Sequence, residues 1–174
     1  MTLPKRLWEE NYDETFKDDG FAKIDSLLDD SLFLNSSSSW SKYSVARDEY
    51  TRRQLLIEID VLVAMSLGLT LEELIEVYNI QFPVVKKYED DTWYDLNGRI
   101  VFSAKSYGNL TLDRKTFEAE LRQGSMEIVH TFKDDTTMNG VVDKTIIFKA
   151  PFIKCNRELD YTDTWKEFEK RFVL

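Results

Sequence analysis

The sequence predicts an α+β fold in which a buried helical hairpin or three-helix group packs with a small antiparallel sheet, made of two hairpins, and with a C-terminal helix. Three observations favour this class. An apolar segment with helix-capping signals lies near the middle of the chain, turn residues then separate short β-prone runs, and aromatic residues recur at helical spacing near the end. A chain of 174 residues, 43% of them hydrophobic, is long enough to bury one core.

The first predicted helix lies within Val45–Leu67, which is apolar around nearly its whole circumference, so we expect it to be buried on most sides. Gly68 fits the position that ends this helix, and Thr70 with Glu73 forms the capping-box pattern that starts the next one. Pro83 suits the first turn of a third, short helix. The sequence therefore predicts three consecutive helices joined by short turns.

The second half of the chain predicts two hairpins and two helices. Asn97-Gly98 separates two β-prone runs and favours a type I′ turn. Asp113 is suited to cap a helix, and strands are expected at Met126–Phe132 and Lys144–Ala150. The tail that begins at Asn156 predicts a helix with one aromatic stripe, which packs against the core or against a neighbouring domain. The stripe consists of Tyr161, Trp165, Phe168 and Phe172.

Residues 1–43 combine aromatic and acidic side chains and finish in the polar run Asn35–Ser39. We interpret this segment as an acidic, aromatic arm or linker, followed by a single α+β module at 44–174. The aromatic residues could dock on that module, pack against another part of a larger protein, or belong to a solvated linker. The sequence leaves these alternatives open.

Composition excludes several classes of function. A formal net charge of −9 opposes generic attraction to DNA or to anionic membranes. With one cysteine, Cys155, and one histidine, His130, the chain cannot form an internal disulfide or a Cys/His zinc site, and a reducing cytoplasm is the expected location. No run approaches the roughly 20 apolar residues of a membrane span, and no signal-peptide pattern is present.

The motifs that carry catalysis are also missing. The six glycines stand singly, so the sequence contains no phosphate loop or S-adenosylmethionine fingerprint, and no acidic or amide residue precedes a proline pair as in amino-methylating DNA methylases. Asp113-Arg114-Lys115 matches the short half of a magnesium-nuclease pattern, but Asp113 is better explained as a helix cap. His130 falls in the middle of a predicted strand, where a surface or cross-strand role is favoured. We therefore expect no catalytic and no metal-binding residue in this chain.

Basic and aromatic residues are interleaved around the first predicted hairpin, in the least acidic part of the chain. Such residues can neutralise phosphates and stack on bases, although a solvated face over core aromatics is the alternative. The candidate DNA-contacting residues are Lys86, Lys87, Trp93, Tyr94, Arg99, Lys105, Arg114 and Lys115. The tail stripe Tyr161, Trp165, Phe168 and Phe172 is the candidate interface with a partner.

Three passages carry a resemblance to a known family. They are Arg52–Asp60 running into Leu67–Thr70; Tyr78–Tyr88 with Asp91–Phe102; and Pro151–Phe152 with Cys155–Glu158, Asp160–Tyr161, Trp165 and Phe168–Arg171. Together they resemble the C-terminal part of large bacterial class I DNA methylases of the combined restriction-modification type, including relatives found in phage-defence loci.

The resemblance implies a non-catalytic accessory or target-recognition module of a DNA adenine methyltransferase. It also implies an upstream methylase domain that holds S-adenosylmethionine, so that this chain itself needs no cofactor. The expected partners are DNA, reached through the parent enzyme, and that upstream domain. A protein-docking scaffold is the alternative function, and a metal-dependent nuclease is a more distant one. The DNA target and the oligomeric state do not follow from the sequence.

Overall fold

The computed structural model describes residues 3–41, 44–105, 107–136, 138 and 140–172 and confirms the α+β class. The helices are α1 (Leu3–Asn11), α2 (Ser31–Leu34), α3 (Glu49–Ser66), α4 (Leu71–Gln81), α5 (Pro83–Glu89), α6 (Arg114–Gln123) and α7 (Arg157–Phe172). The strands are β1 (Trp93–Tyr94), β2 (Ile100–Phe102), β3 (Glu127–Asp134), β4 (Val142–Lys149) and β5 (Ile153–Lys154). Short 3₁₀ turns occupy Glu14–Asp18 and Gly108–Leu110.

The strands form two separate antiparallel sheets. The order of the first sheet is β2-β1-β5, with β1 in the centre, and the second is the two-stranded ribbon β3-β4. In the ribbon Val129 lies opposite Ile147, and Ile128 lies opposite Phe148 on the other face. The two predicted hairpins are thus confirmed, whereas β5 was not predicted, because two residues are too short a run to show an alternating pattern.

Three clusters of buried side chains hold the elements together. The first joins α3, α4 and α7; the second lies between β2, α6 and the β3-β4 ribbon; and the third links the start of α3 to β1 and β2. Ile57 and Val61 in the first cluster, Val101 in the second and Tyr50 in the third are among the most deeply buried residues of the chain. The first cluster is therefore formed mainly between helices, whereas the second and third are formed between helices and strands.

The helix-capping predictions are confirmed. The Thr70 hydroxyl accepts a hydrogen bond from the Glu73 amide while the Glu73 carboxylate accepts one from the Thr70 amide. Gly68 adopts a left-handed φ of 73°, and the Leu69 amide reaches back to the Ala64 carbonyl at 3.0 Å. Among the described residues, no single helix is long and apolar enough to cross a membrane, although the bent pair α3–α4 meets that test when its helices are taken together.

The prediction that the first helix is buried on most sides is wrong. Ile57, Val61 and Ala64 are buried under α4 and α7, but Ile59 and Val63 are about half exposed. An apolar residue on every face of a helix does not show which face is covered, because burial depends on the elements that pack against it. The α3 helix therefore presents a second, uncovered apolar face.

Of the two alternatives predicted for the aromatic stripe of the tail, packing against the core is confirmed for three of its four residues. Tyr161, Trp165 and Phe168 are all less than 10% exposed and belong to the first core cluster with α3 and α4. They fill the core of this chain, so the stripe is not an exposed face for a partner. Phe172 alone of the predicted stripe remains about half exposed.

The turn of the first hairpin also differs from the predicted type I′ turn. The Gly98 amide donates to the Asp95 carbonyl at 2.9 Å, so Gly98, with its φ of 71°, is the last residue of the turn rather than one of its two central residues. The fully buried Asp95 carboxylate accepts hydrogen bonds from the amides of Asn97 and Arg99. Asp95 thus organises a wider loop, with glycine at the left-handed position.

The N-terminal segment is docked on the module in its described part. The Ala22 amide donates to the Glu58 carboxylate of α3 at 2.8 Å, and Ala22 itself lies in the first core cluster. Arg171, near the end of α7, donates to the carbonyls of Gly20 and Phe21 at 2.8 and 2.9 Å. The aromatic residues of the segment also pack on one another, through the contacts Trp8–Phe16, Phe16–Phe33 and Phe21–Phe33.

Candidate functional site

The two aromatic residues predicted to contact DNA belong to the core. Tyr94 is 5% exposed and packs edge-on against Tyr50 with 5.3 Å between ring centroids. Trp93 is partly buried and packs against Phe117 in the second core cluster. The Tyr94 ring cannot stack on a base without leaving its packing, which contradicts its predicted role, and Trp93 is only partly accessible. The alternative, a solvated face over core aromatics, describes both.

Three of the six basic residues predicted to contact DNA form ion pairs with acidic side chains. The ion pairs are Lys86 with Glu158, Arg99 with Asp95, and Arg114 with Asp91 and Glu118. Lys87, Lys105 and Lys115 are exposed and have no acidic partner within the described part of the chain. Of these three lysines, Lys105 lines the same depression as the exposed Arg52.

Arg47, Arg52 and Lys105 are far apart in sequence, but they line two depressions that share Tyr107, in the loop that follows β2. Arg52 and Lys105 line one depression, Arg47 lines the second, and the ring of Tyr107, which is about one-third exposed, borders both. The Lys105 ammonium lies 5.4 Å from the centroid of the Tyr107 ring. Sequence reasoning missed Arg47 and Arg52 because they precede the hairpin by some 45 residues, and no local signal links them to it.

The first of these depressions, which we call the arginine cleft, has a volume of about 260 Å³. It lies between α3, α5 and the β1-β2 hairpin, and the loop after β2 forms one wall. Its lining residues are Glu49, Arg52, Arg53, Leu56, Val85, Tyr88, Glu89, Thr92, Tyr94, Ile100, Ser103, Lys105, Tyr107 and Arg157.

Arg157 and Glu89 neutralise each other inside the cleft. The Nε and Nη2 atoms of Arg157 each donate to one carboxylate oxygen of Glu89 at 2.6 Å, and the Tyr78 hydroxyl donates to Glu89 at 3.0 Å. Arg157 Nη1 donates to Asp60 and to the Tyr161 hydroxyl, both at 3.0 Å. Burial alone lowers the pKa of Arg157, but these bonds reverse the effect and raise it. Every nitrogen of this guanidinium is therefore engaged.

Arg53 lies beside this pair and is far less satisfied. It is 7% exposed, and Nη1 donates to the buried Asp160 carboxylate at 2.7 Å. Its Nε and Nη2 atoms are buried and have no hydrogen-bond partner among the described residues; the nearest carboxylate oxygen, on Glu89, is 3.7 Å from Nε. Arg157 uses its Nε and Nη2 atoms to bind Glu89, whereas the same two atoms of Arg53 make no hydrogen bond with a described residue.

Burial keeps the Tyr94 phenol and the nearby Cys155 thiol in their neutral, protonated forms. Burial raises the pKa of Tyr94, so the phenol stays protonated and can donate a hydrogen bond. Burial likewise raises the pKa of the neighbouring Cys155 thiol to about 11, which keeps the thiolate scarce at neutral pH. Cys155 therefore lacks the depressed pKa of an activated nucleophile.

A second depression, which we call the apolar groove, lies between α3, α4 and α5 and has a volume of about 490 Å³. Five of its apolar side chains are between 44% and 71% exposed: Val63, Leu67, Val77, Phe82 and Val85. Leu56 extends this surface along α3, because it shares the arginine cleft with Val85. Exposed apolar residues of α3 therefore line both depressions, which share Val85.

The residues considered for metal chemistry have structural partners. The Asp113 carboxylate accepts from the Thr116 amide at 3.0 Å and caps α6, as predicted. His130 Nε2 lies 2.7 Å from the Asn109 carbonyl, and its ring stacks on Phe132. Within the ranges that the structure describes, no group of three or more His, Cys, Asp or Glu side chains is placed to hold a metal ion.

Comparison with known proteins leaves the chain without a named relative. No protein-family model matches it, and neither a curated protein nor a solved structure matches it significantly.

Proposed function

We propose that this chain is a non-catalytic docking module that binds a partner domain through the apolar groove. The observation that supports this is the set of exposed apolar side chains that line the groove and the adjoining cleft, namely Leu56, Val63, Leu67, Phe82 and Val85. Large contiguous apolar patches on a folded protein are typical of interaction sites, whereas scattered apolar residues need no explanation. The surface spans three helices, which gives a partner a rigid, concave seat.

Charge at the groove defines the chemistry of the partner. Asp60 and Arg157 both line the groove and form an ion pair, so the acidic character comes from Glu73 and Glu76, which lie one helical turn before the exposed Val77 and Ile80 on α4. An apolar seat with acidic neighbours suits an apolar patch that carries Lys or Arg at its rim. The resemblance supplies a specific partner, the S-adenosylmethionine-binding methylase domain of the same enzyme.

Co-purification tests this proposal. A tagged chain is mixed with the methylase domain encoded in the same locus, and the wild type is compared with Val63→Glu and Val85→Glu, which place a charge in the seat. Leu159→Glu on α7 is the matched control, because Leu159 is equally apolar and 56% exposed but does not line the groove. We expect the two groove variants to lose the partner and the control to retain it. Equal recovery of the partner by all variants would sink the proposal.

DNA recognition is the second candidate, supported by the exposed cations Arg47, Arg52 and Lys105, which line the two depressions that Tyr107 borders. Free cations beside an exposed ring can contact phosphate while the ring stacks on a base. This set replaces most of the residues that the sequence suggested and keeps Lys105. In a chain of net charge −9, only such a local concentration of unpaired cations can attract DNA.

Fluorescence anisotropy with a labelled duplex tests the second candidate. Arg52→Glu and Lys105→Glu should weaken binding and reduce the slope of log K against log salt by about one for each phosphate that the variant no longer neutralises. Lys166→Glu on the exposed side of α7 changes the net charge equally and is the control. If the control weakens binding as much as the other two, the effect is one of net charge and the candidate surface is wrong.

A further inference from the structure

We propose that the arginine cleft binds a phosphoryl group, with the Nε and Nη2 atoms of Arg53 as its central donors and with Arg52 and Lys105 at its mouth. The inference does not depend on docking through the apolar groove. If the phosphoryl group belongs to DNA, the inference deepens the second candidate function.

The strongest reason is the contrast between two arginines in the same cleft. Arg157 presents Nε and Nη2 to Glu89 and fills that edge with two bonds of 2.6 Å. Arg53 presents the same pair of atoms, buried and without a hydrogen-bond partner among the described residues. This edge matches the spacing of two oxygens on a carboxylate or phosphate, and buried donors of this kind are normally satisfied.

The charge around Arg53 favours an anion with more than one negative charge. Glu89, the nearest carboxylate to Nε, is already neutralised by Arg157 and hydrogen-bonded by Tyr78. Arg52 and Lys105, further out, are exposed and have no acidic partner in the described part of the chain, while Glu49 is the one exposed acid on the lining. Arg52 and Lys105 add two positive charges to the same lining, which suits a phosphoryl group, with its three acceptor oxygens and larger charge, better than a carboxylate.

The remaining lining residues set the size and character of the ligand. A volume of about 260 Å³ is far larger than the roughly 30 Å³ that one water occupies in the liquid, so the cleft admits a group bonded to the phosphate. Tyr88 and Tyr107 are about one-third exposed and give the cleft aromatic walls, and the protonated Tyr94 hydroxyl adds a donor. These features suit a nucleotide phosphate, either free in solution or within a nucleic acid strand.

Titration of the whole chain with inorganic phosphate, AMP and a short DNA duplex separates the two sources. The readouts are calorimetry at constant ionic strength and the ¹H–¹⁵N resonance of the Arg53 Nε–H group. If the natural ligand is a free nucleotide, we expect phosphate or AMP to bind and to shift the Arg53 resonance. If the natural ligand is DNA, we expect the duplex to bind, to shift the same resonance and to compete with phosphate. Binding of phosphate and AMP without the duplex would support the cleft while removing DNA recognition as a function.

Variants locate the site. Arg52→Gln with Lys105→Gln changes exposed residues only and should weaken binding about tenfold or more, without lowering the melting temperature. Arg53→Lys keeps the charge beside Asp160 but loses the two-pronged edge, and should abolish the binding. Lys87→Gln with Lys115→Gln removes two exposed cations outside the cleft and is the matched control. No binding of any of the three ligands at millimolar concentration, or equal weakening in the control, would overturn the proposal.

Discussion

Arg157 donates two parallel hydrogen bonds of 2.6 Å to the carboxylate of Glu89, which joins α7 to the end of α5. Both side chains are less than 20% exposed, so removing one leaves the other charged and poorly solvated. We expect Glu89→Gln to lower the free energy of unfolding by about 3–5 kcal/mol, as measured by urea denaturation.

The matched control is the ion pair that joins the same two helices at the surface. Lys86 and Glu158 are about one-third or more exposed, so Lys86→Gln should cost less than about 1 kcal/mol. Equal losses for Glu89→Gln and Lys86→Gln would show that the Arg157–Glu89 pair is not the internal link described above.

Two isoleucines of α3 report on which face of that helix is buried. Ile57 has no exposed surface, whereas Ile59 is 53% exposed. Ile57→Ala leaves a cavity in the first core cluster and should cost about 2–5 kcal/mol, while Ile59→Ala should cost less than about 1 kcal/mol. Thermal or urea unfolding of both variants distinguishes the faces, and the reverse order would mean that the apolar surface is covered within the chain.

The turn of the first hairpin is coupled to the start of α3. A Cβ atom at Gly98 would clash with the carboxylate of Asp48, which caps α3 by accepting from the Thr51 amide at 2.7 Å. Gly98→Ala therefore combines left-handed strain with loss of the cap, and we expect it to cost roughly 2–4 kcal/mol.

Gly68→Ala separates these two effects. Gly68 has a similar φ of 73°, but a Cβ there meets nothing within 4 Å, so only the conformational strain of about 1 kcal/mol remains. Circular dichroism melting of the two variants gives the comparison. If Gly98→Ala and Gly68→Ala lowered the stability equally, the clash with Asp48 would contribute nothing, because the Asp48 side chain would have moved away from the added Cβ without loss of stability.

Glu58 should make stability depend on pH in an unusual direction. Burial raises its pKa above the ordinary 4.5, although bonds from Gln54 and the Ala22 amide partly oppose the shift. The folded state therefore holds the proton more tightly, and the resulting stabilisation is complete below pH 4.5 and is lost as the pH rises through the folded pKa. Glu58→Gln cannot titrate, so we expect its stability relative to the wild type to increase over that interval.

Urea denaturation of both proteins at several pH values between about 4 and 8 provides the measurement. Glu167→Gln is a control of opposite sign, because hydrogen bonding from Arg171 lowers the pKa of Glu167. A Glu58→Gln difference that stays constant with pH would show that the Glu58 carboxyl ionises as it does in the unfolded chain.

Local signals in the sequence predicted local structure well. The capping box at Thr70 and Glu73 and the left-handed glycine at Gly68 depend on neighbours within a few residues, and the structure has them as predicted. The exposed face of α3 and the buried face of α7 could not be assigned in this way, because each depends on which helix crosses the other. The ion pair of Arg53 with Asp160 joins residues 107 positions apart and had no sequence signal.

The candidate site shows the same division. Lys105 could be chosen from composition alone, but Tyr94 and Tyr107 are equally plausible stacking residues until their packing is known. Tyr94 is enclosed because β5, a strand too short to predict, pairs with β1 beside it. Tyr107 follows strand β2 and stays about one-third exposed beside Lys105. Sequence patterns thus pointed to the first hairpin and the loop after it, but they could not show which of the side chains there are exposed to solvent.

The bonds from Arg171 to the carbonyls of Gly20 and Phe21 have a consequence for biosynthesis. Residues 20 and 21 leave the ribosome long before Arg171 does, and the Lys23 ammonium likewise pairs with Asp160 of the late helix α7. The contacts of residues 20, 21 and 23 with α7 therefore form only after that helix has been made, whereas the bond from Ala22 to Glu58 of α3 can form earlier. Until translation passes Arg171, the inner face of α3 has no α7 to cover it, and a nascent chain stalled at that point would display Ile57 and Val61 to chaperones.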